Sequence, residues 1–173
     1  MSFAIRPCAP KDLKDIMRLV KEIVGFYDAT LGSLRTNVEE LKKAGFGEQA
    51  RYKCFVAEVP FEEKSKEGHT LIGYTLFSYT YNTWRGKNIY LDNLYVMPEF
   101  RGRQIGKALL EQVAEAAWRQ GLSQLQMHIS SQKADNLSFI KKRGGENLTE
   151  KDGLHLLCFP NEALKRLAAE SRF

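Results

Sequence analysis

The sequence predicts an α/β fold, in which a mixed sheet has helices on both of its faces. Its 173 residues give the order strand, two helices, three strands, helix, strand, helix, strand and tail helix, which is typical of this class. The central segment, 87–118, changes from a β-branched and aromatic run to the spacing of an amphipathic helix. No internal repeat or linker interrupts the pattern, so we expect a single domain over 1–173.

Strand and helix patterns alternate in the first half of the chain. Pro10 suits the first turn of helix one, and Gly25 suits its end. A capping box at Thr36-Asn37-Val38-Glu39 opens a second, short helix. The predicted elements are strand one at 4–7, helix one at 10–25, helix two from about 36 to 44, strand two at 52–59 and strand three at 71–81.

The second half of the chain continues with strand four and the long helix that begins near Gln104. Gly144-Gly145 ends a later helix, and Leu164 and Leu167 belong to an amphipathic tail helix. The other predicted elements are strand four at 87–96, strand five at 124–130, a helix at 133–142 and a late strand at 154–159.

Strand four changes phase along its length. Ile89 and Leu91 share one face, but the next apolar pair, Leu94 and Val96, begins three residues after Leu91. A bulge at Asp92-Asn93 would restore the phase, and bulges occur often beside active sites. The alternative is a regular strand with both faces buried.

The turn after strand four is basic. A helix that begins near Gln104 directs unpaired N–H groups and the positive end of its dipole toward this turn, where Arg101, Arg103 and Lys107 add charge. This pattern favours an anionic, phosphate-bearing ligand. The alternative is an ordinary turn with solvated basic residues. The spacing does not match the glycine-rich dinucleotide loop or the P-loop.

The run from Tyr90 to Gly106, Tyr-Leu-Asp-Asn-Leu-Tyr-Val-Met-Pro-Glu-Phe-Arg-Gly-Arg-Gln-Ile-Gly, resembles the core of the GCN5-related N-acetyltransferases. Their motif, Gln/Arg-x-x-Gly-x-Gly/Ala, follows a bulged fourth strand. Among them the chain is most similar to the diamine acetyltransferases, which include spermidine/spermine and thialysine enzymes. The likeness continues at 4–7, 45–48, 54–60, Trp84 and 141–144.

This resemblance implies the GNAT fold, a mixed, mostly antiparallel sheet of about six to seven strands flanked by about four to five helices, with strands four and five splayed. It also implies acetyl-CoA as cofactor, a small primary amine as substrate and a homodimer. The implied cofactor-binding residues are Leu94, Val96, Arg101, Gly102, Arg103, Gln104, Ile105, Gly106, Lys107, Lys133, Asn136, Phe139 and Lys142. The implied substrate-binding residues are Tyr27, Asp28, Asn82, Trp84, Asp92, Asn93 and Asp152.

Acetyl transfer to an amine needs a base, because an alkylamine has a pKa near ~10.4 and is almost wholly protonated at neutral pH. Asp92, at the expected bulge, is the candidate base, directly or through a water. The alternative is an aspartate that only fixes strand geometry or binds the substrate ammonium. The N–H of Leu94 is the candidate donor to the oxyanion.

Three residues depart from the family pattern. Gln104 replaces the middle glycine of the motif, Lys133 replaces a cofactor-contacting asparagine, and Ile140 replaces the tyrosine usually proposed as general acid. Asn82 and Asn93 stand where acids are common, so we expect a less cationic substrate. The alternatives are a catalytically weakened acyl-CoA-binding regulatory protein on the same fold, or a protein-lysine acetyltransferase.

Composition argues against several other classes. No apolar run approaches the ~20 residues of a membrane span and no signal peptide is visible, so we expect a cytoplasmic protein without a membrane partner. The three cysteines and three histidines lack metal-ligand spacing, which predicts free thiols and no metal site. The net charge of +5 is spread along the chain among acidic residues, so we expect no nucleic-acid partner.

Overall fold

The computed structural model of the protein describes residues 2–27 and 34–172, with the backbone alone at 26 and 27. The chain divides into two compact units, Met1–His128 and Ile129–Phe173. The single domain over 1–173 stays a prediction. In the described part of the chain, no helix is both long enough and apolar enough to cross a bilayer. The same residues contain no group of three side chains arranged to hold a metal ion.

The first unit contains a mixed sheet whose strands are adjacent in chain order. The first four strands pair antiparallel, and the fourth and fifth pair parallel. The expectation of a mixed, mostly antiparallel sheet is confirmed, but the expected six to seven strands are wrong, because the described residues form five. The strands are β1 (Ala4–Pro7), β2 (Lys53–Glu58), β3 (Leu71–Asn82), β4 (Gly86–Val96) and β5 (Leu125–Gln126).

Six α-helices occur in the described residues, where about four to five were expected. The additional helix is short and has no apolar periodicity; the side chain of Asn147 caps it by accepting from the N–H groups of Thr149 and Glu150. Helix α2 is capped by Asn37, which accepts from Glu40 N–H at 2.9 Å, and not by the expected box at Thr36. The helices are α1 (Leu13–Tyr27), α2 (Val38–Phe46), α3 (Ile105–Arg119), α4 (Ala134–Lys141), α5 (Leu148–Asp152) and α6 (Asn161–Ala169).

Two strand predictions need correction. Strand five was expected over 124–130, but β5 contains only Leu125 and Gln126. A bulge bends its neighbour β4 just beyond the last paired residue, Tyr90, and ends the parallel ladder. The late strand expected at 154–159 does not form. An apolar run becomes a strand only beside another strand, and the described residues of the second unit contain helices alone.

Residues 71–75 of β3 are all buried. Because successive side chains of a strand point to opposite faces, both faces of β3 are covered here. A Cβ added at Gly73 would lie 2.9 Å from the Tyr95 carbonyl oxygen and 3.5 Å from Leu109, so α3 packs closely on this face. On the opposite face, the Tyr95 hydroxyl donates to Glu22 of α1 at 2.8 Å. The central strands are therefore held between α1 and α3.

Arg6 ties β1 to the segment that begins α1. Its guanidinium donates two hydrogen bonds to the Asp12 carboxylate, at 2.7 and 2.9 Å, and Ala9 N–H donates a third at 2.7 Å. Asp12 is only 5% exposed. The hydrogen bonds from Arg6 hold the pKa of Asp12 below its usual value.

This pair predicts a pH-dependent part of the stability. Because the folded-state pKa of Asp12 is lowered, its contribution is present above the unfolded-state pKa of about 3.9 and is lost as pH falls through the folded-state value. Asp12→Asn should reduce the free energy of unfolding at pH 7 by about 2 kcal/mol, as for a charged hydrogen bond.

Urea unfolding across pH checks this prediction. The difference between wild type and Asp12→Asn should shrink below about pH 4. The control Asp135→Asn, at an exposed position in the first turn of α4, should stay within about 0.5 kcal/mol of wild type throughout. A difference for Asp12→Asn that is independent of pH would contradict the account.

Candidate active site

Within the stretch where the two strands pair, β4 has one residue more, since its residues 86–96 lie opposite residues 73–82 of β3. The β3–β4 register runs from Gly73↔Val96 to Leu76↔Asn93 and resumes at Phe77↔Leu91. Asp92 therefore has no partner on β3. The bulge expected at Asp92-Asn93 is confirmed.

The ladder also fixes which way the N–H groups of β4 point. Met97, just after β4, donates its N–H to the Ile72 carbonyl oxygen of β3 at 2.9 Å. In an antiparallel ladder every second residue points its N–H to the same side. The N–H groups of Leu94 and Val96 therefore point away from β3. On that side the pairs with β5 end at Tyr90↔Gln126, so the ladder of the described strands does not use these two groups.

Asp92 is an exposed residue, although its carboxyl group is partly desolvated by its surroundings. This desolvation raises the pKa of Asp92 above its ordinary value, since it disfavours the charged form. Tyr90 lies two residues earlier, on the face opposite the buried Leu91. Its hydroxyl forms a 2.7 Å hydrogen bond with His128 Nδ1, and burial and then the charge of Asp92 raise its pKa.

Arg101 fixes the turn after β4. Its Nε donates to the Val96 carbonyl at 2.9 Å, and its guanidinium lies 5.4 Å from the centre of the Tyr95 ring. Arg103 lies 5.4 Å from the ring of Phe100, which is 4% exposed. The two arginines expected near an anion thus also contact the protein's own backbone and aromatic rings.

Two left-handed residues lead into α3. Gly102 has φ 76° and Gln104 has φ 66°, and Gln104 is the N-cap. Ala108 N–H donates to Gln104 at 3.0 Å, so the N–H groups of Ile105, Gly106 and Lys107 precede the first helical hydrogen bond. Ile105 is 1% exposed and anchors the helix start in the core. This arrangement suits an anion such as a pyrophosphate.

The Lys107 ammonium lies 3.5 Å from Glu111 in the next turn of α3, with about half of its side chain exposed. The positive charge expected at the helix start is therefore present there, partly balanced by one carboxylate.

Four expected cofactor residues belong to the second unit. Lys133 is the N-cap of α4, and Asn136 is exposed in its first turn. Phe139 is half-buried beneath the guanidinium of Arg143, 3.7 Å from the ring centre. Lys142 is the exposed C-cap. Their role in cofactor binding stays a prediction.

The expected substrate residues lie in several places. Asn82 accepts from Arg85 N–H at 2.8 Å in the β3–β4 turn, and Trp84 is 91% exposed there. Asp92 lies six residues along β4 from Gly86, which at the rise of a strand is roughly 20 Å. The first unit therefore does not bring Asn82 and Trp84 close to Asp92. Their roles as substrate-binding residues stay predictions.

The remaining substrate candidates lie at the edge of the described residues, outside them, in the second unit or at the bulge. Tyr27 is the last residue of α1, and its side chain lies outside the description. Asp28 lies outside the described residues. Asp152 is the exposed last residue of α5 in the second unit. By contrast, Asn93 is at the bulge, next to Asp92.

A family model for the acetyltransferase (GNAT) family matches residues 22–144, which include the bulge, the basic turn and α3. The chain belongs to this family. It is an N-acetyltransferase, and the resemblance found in the sequence is confirmed.

Relatives of this acetyltransferase match it over nearly its whole length. A thialysine N-epsilon-acetyltransferase of Bos taurus is 36% identical over 96% of this chain and 97% of its own. A protein of the same name from Sus scrofa is 34% identical over 98% and 99%. An integron cassette protein of V. cholerae has the same fold, with a TM-score of 0.72, 18% identity and 99% of each chain covered.

The acetyltransferase departs from the family motif at Gln104, and the structure gives a physical reason why glycine suits this position. A left-handed conformation costs an L-residue with a side chain about 1–2 kcal/mol, whereas glycine adopts it freely. Gln104→Gly should therefore raise the free energy of unfolding by about 0.5–1 kcal/mol, after about 0.5–1 kcal/mol of added chain entropy is subtracted.

The matched control is Gln112→Gly, in the right-handed interior of α3. It should lower the free energy of unfolding by about 1 kcal/mol. Both variants are measured by urea unfolding. If both changes destabilise the protein to the same extent, the strain assigned to Gln104 is absent.

Proposed function

We propose that this N-acetyltransferase moves the acetyl group of acetyl-CoA to the primary amine of a small molecule, by direct attack of the amine on the thioester. The substrate class is a diamine or an amino acid with a distal amine, such as thialysine. The observation that carries the proposal is the bulge at Asp92: this residue has no partner on β3, and two residues later the N–H of Leu94 points away from β3. The names of the bovine and porcine relatives support this substrate class.

Asp92 acts as the base, directly or through a water. The substrate amine has a pKa near ~10.4, so its ammonium form must lose a proton before the nitrogen can attack. The raised pKa of the Asp92 carboxyl makes it a better proton acceptor than an ordinary aspartate. The carboxylate also attracts the ammonium form of the substrate to the same place.

The N–H of Leu94 stabilises the negative charge that develops on the thioester carbonyl oxygen. Such backbone donors are fixed before reaction and need no reorganisation. Acetyl-CoA supplies the activated acetyl group and a thiolate leaving group. Val96 N–H, which points the same way as Leu94 N–H, is available to the pantetheine portion of the same molecule.

Residues 101–107 hold the pyrophosphate. The N–H groups at the start of α3 donate to phosphate oxygens, and Arg103 and Lys107 supply charge. Arg101 helps chiefly by fixing the Val96 carbonyl and thus the course of the turn. The Gln104 side chain is exposed at this turn and would lie near a pyrophosphate held there.

The proton for the departing thiolate does not come from a tyrosine at the family position, because Ile140 stands there. A tyrosine near the bulge, Tyr95, is 7% exposed and donates its hydroxyl to Glu22. Burial and this hydrogen bond raise the pKa of Tyr95. Water is therefore the proposed donor, which suffices because a thiol with a pKa near ~8.5 is a fair leaving group.

The homodimer implied by the resemblance and the cytoplasmic location stay predictions. Sedimentation of the purified protein tests the first, and imaging of the tagged protein in cells tests the second.

Thiol release from acetyl-CoA tests the proposed function. The panel contains thialysine, lysine, short diamines, spermidine and a lysine-containing peptide. We expect turnover with thialysine or a short diamine above that with spermidine, because Asp92 at the bulge is followed by the neutral Asn93, whereas a polycation prefers several carboxylates together. If no amine causes thiol release while calorimetry still detects acetyl-CoA binding, the protein is instead a catalytically weakened acyl-CoA-binding protein. Preference for the peptide would indicate a protein-lysine acetyltransferase.

Asp92→Asn separates catalysis from binding. Turnover should fall about 10²- to 10⁴-fold, as expected for loss of general base catalysis, while the Kd for acetyl-CoA stays the same. Because the folded-state pKa of Asp92 is raised, its ionised form destabilises the fold above that pKa. The variant should therefore melt at a higher temperature than wild type at pH 7.

The control is Glu115→Gln, which removes an exposed carboxylate on α3 and should leave turnover unchanged. Undiminished turnover in Asp92→Asn would remove Asp92 from the mechanism.

A further inference from the structure

Two fully buried side chains of β3 contact the bulge of β4. The Thr75 hydroxyl donates to the Asn93 carbonyl at 2.9 Å, and the Tyr74 hydroxyl donates to Asn93 Oδ1 at 2.8 Å. Both donors are 0% exposed. Asn93 Nδ2 in turn donates to the Asp92 carbonyl at 3.0 Å.

We infer that Tyr74 and Thr75 are positioning residues for the reaction proposed above, and that Asn93 connects them to Asp92 and does not bind the amine. This inference rests on the proposed function. It changes the role of Asn93, which the family resemblance assigns to the substrate.

The Thr75 hydrogen bond acts through the peptide plane. The Asn93 carbonyl and the Leu94 N–H belong to one planar, trans peptide unit, so they point in opposite directions. A donor on β3 that fixes the carbonyl therefore also fixes the N–H on the far edge of β4. The proposed oxyanion donor is held by Thr75 in this way.

Both the oxygen and the nitrogen of the Asn93 side-chain amide form hydrogen bonds in this arrangement. Its oxygen accepts from Tyr74, and its nitrogen donates to the carbonyl of Asp92, the residue that carries the proposed base. An aspartate at this position would keep the acceptor and lose the donor. It would also place a second negative charge next to Asp92.

Tyr74 is suited to this task because it stays a neutral donor. Burial raises its pKa well above the ordinary value of a tyrosine. The hydroxyl therefore keeps its proton and donates to Asn93 at neutral pH.

Four variants test the inference. Thr75→Val removes the hydroxyl at nearly constant volume, and Thr75→Ser keeps it. Tyr74→Phe removes the second donor, and Asn93→Asp removes the amide nitrogen. We expect kcat with the best amine to fall about ten- to a hundredfold in Thr75→Val and Tyr74→Phe, as for a displaced catalytic group. KM for the amine and the Kd for acetyl-CoA should change less than about threefold, because the binding groups remain.

Thr75→Ser should recover most of kcat even though it loses a methyl group from the core. The matched control for Tyr74→Phe is Tyr52→Phe, which removes the hydroxyl of a half-buried tyrosine that donates to the Leu41 carbonyl at 2.6 Å. The control should lose comparable stability and keep kcat. If Thr75→Val and Thr75→Ser have the same kcat, or Tyr52→Phe lowers kcat as Tyr74→Phe does, the role is only structural and the inference is overturned.

Asn93→Asp distinguishes positioning from substrate binding. If Asn93 is a positioning residue, Asn93→Asp should lower kcat and should not lower KM for spermidine. A substrate-binding role predicts a lower KM for spermidine with kcat retained, and this result would also overturn the inference.

A direct titration decides the matter even without turnover. In Tyr74→Phe the Asp92 carboxyl should gain contact with water, so its pKa, followed by ¹³C NMR, should move down toward the ordinary value. An unchanged titration would overturn the inference. A wild-type protein without turnover would instead contradict the proposed function, and the titration of Asp92 could still be measured.

Discussion

The extra residue at Asp92 constrains most of the candidate site. It reverses the phase of β4, so that Leu91 and Val96 pack toward α3 while Tyr95 faces α1. It also ends the ladder with β5 soon after Tyr90. Asp92 is thereby left without a partner on β3, and the N–H of Leu94 points away from β3, where the ladder of the described strands does not use it.

Several parts of this site are unfavourable on their own. The carboxyl of Asp92 is partly desolvated, Gln104 is left-handed, and the bulge interrupts a regular ladder. The surrounding core offsets these costs through buried side chains on both faces of β3 and through the hydrogen bonds of Tyr74 and Thr75. This distribution is common in enzymes, where local strain is kept at the functional site by well-packed neighbours.

Local sequence patterns predicted those features that depend on neighbouring residues. The phase change between Leu91 and Leu94 predicted the bulge, and the shift to helical spacing predicted α3. Features that depend on distant partners were missed or wrong. The bonds from Tyr74 and Thr75 to Asn93 require the β3–β4 register, which the apolar pattern of β3 does not specify because both of its faces are buried. The run 154–159 has strand composition, but the described residues of its own unit, 129–172, form no strand with which it could pair.

The central claim is that the Leu94 N–H receives the thioester oxygen of acetyl-CoA. The most direct measurement follows the backbone amide of Leu94 by ¹⁵N NMR while a non-transferable acetyl-CoA analogue is added. The account predicts a large shift of this amide, with coenzyme A itself causing a much smaller one because it lacks the carbonyl oxygen. Equal shifts with both ligands, or none with either at saturation, would contradict the account.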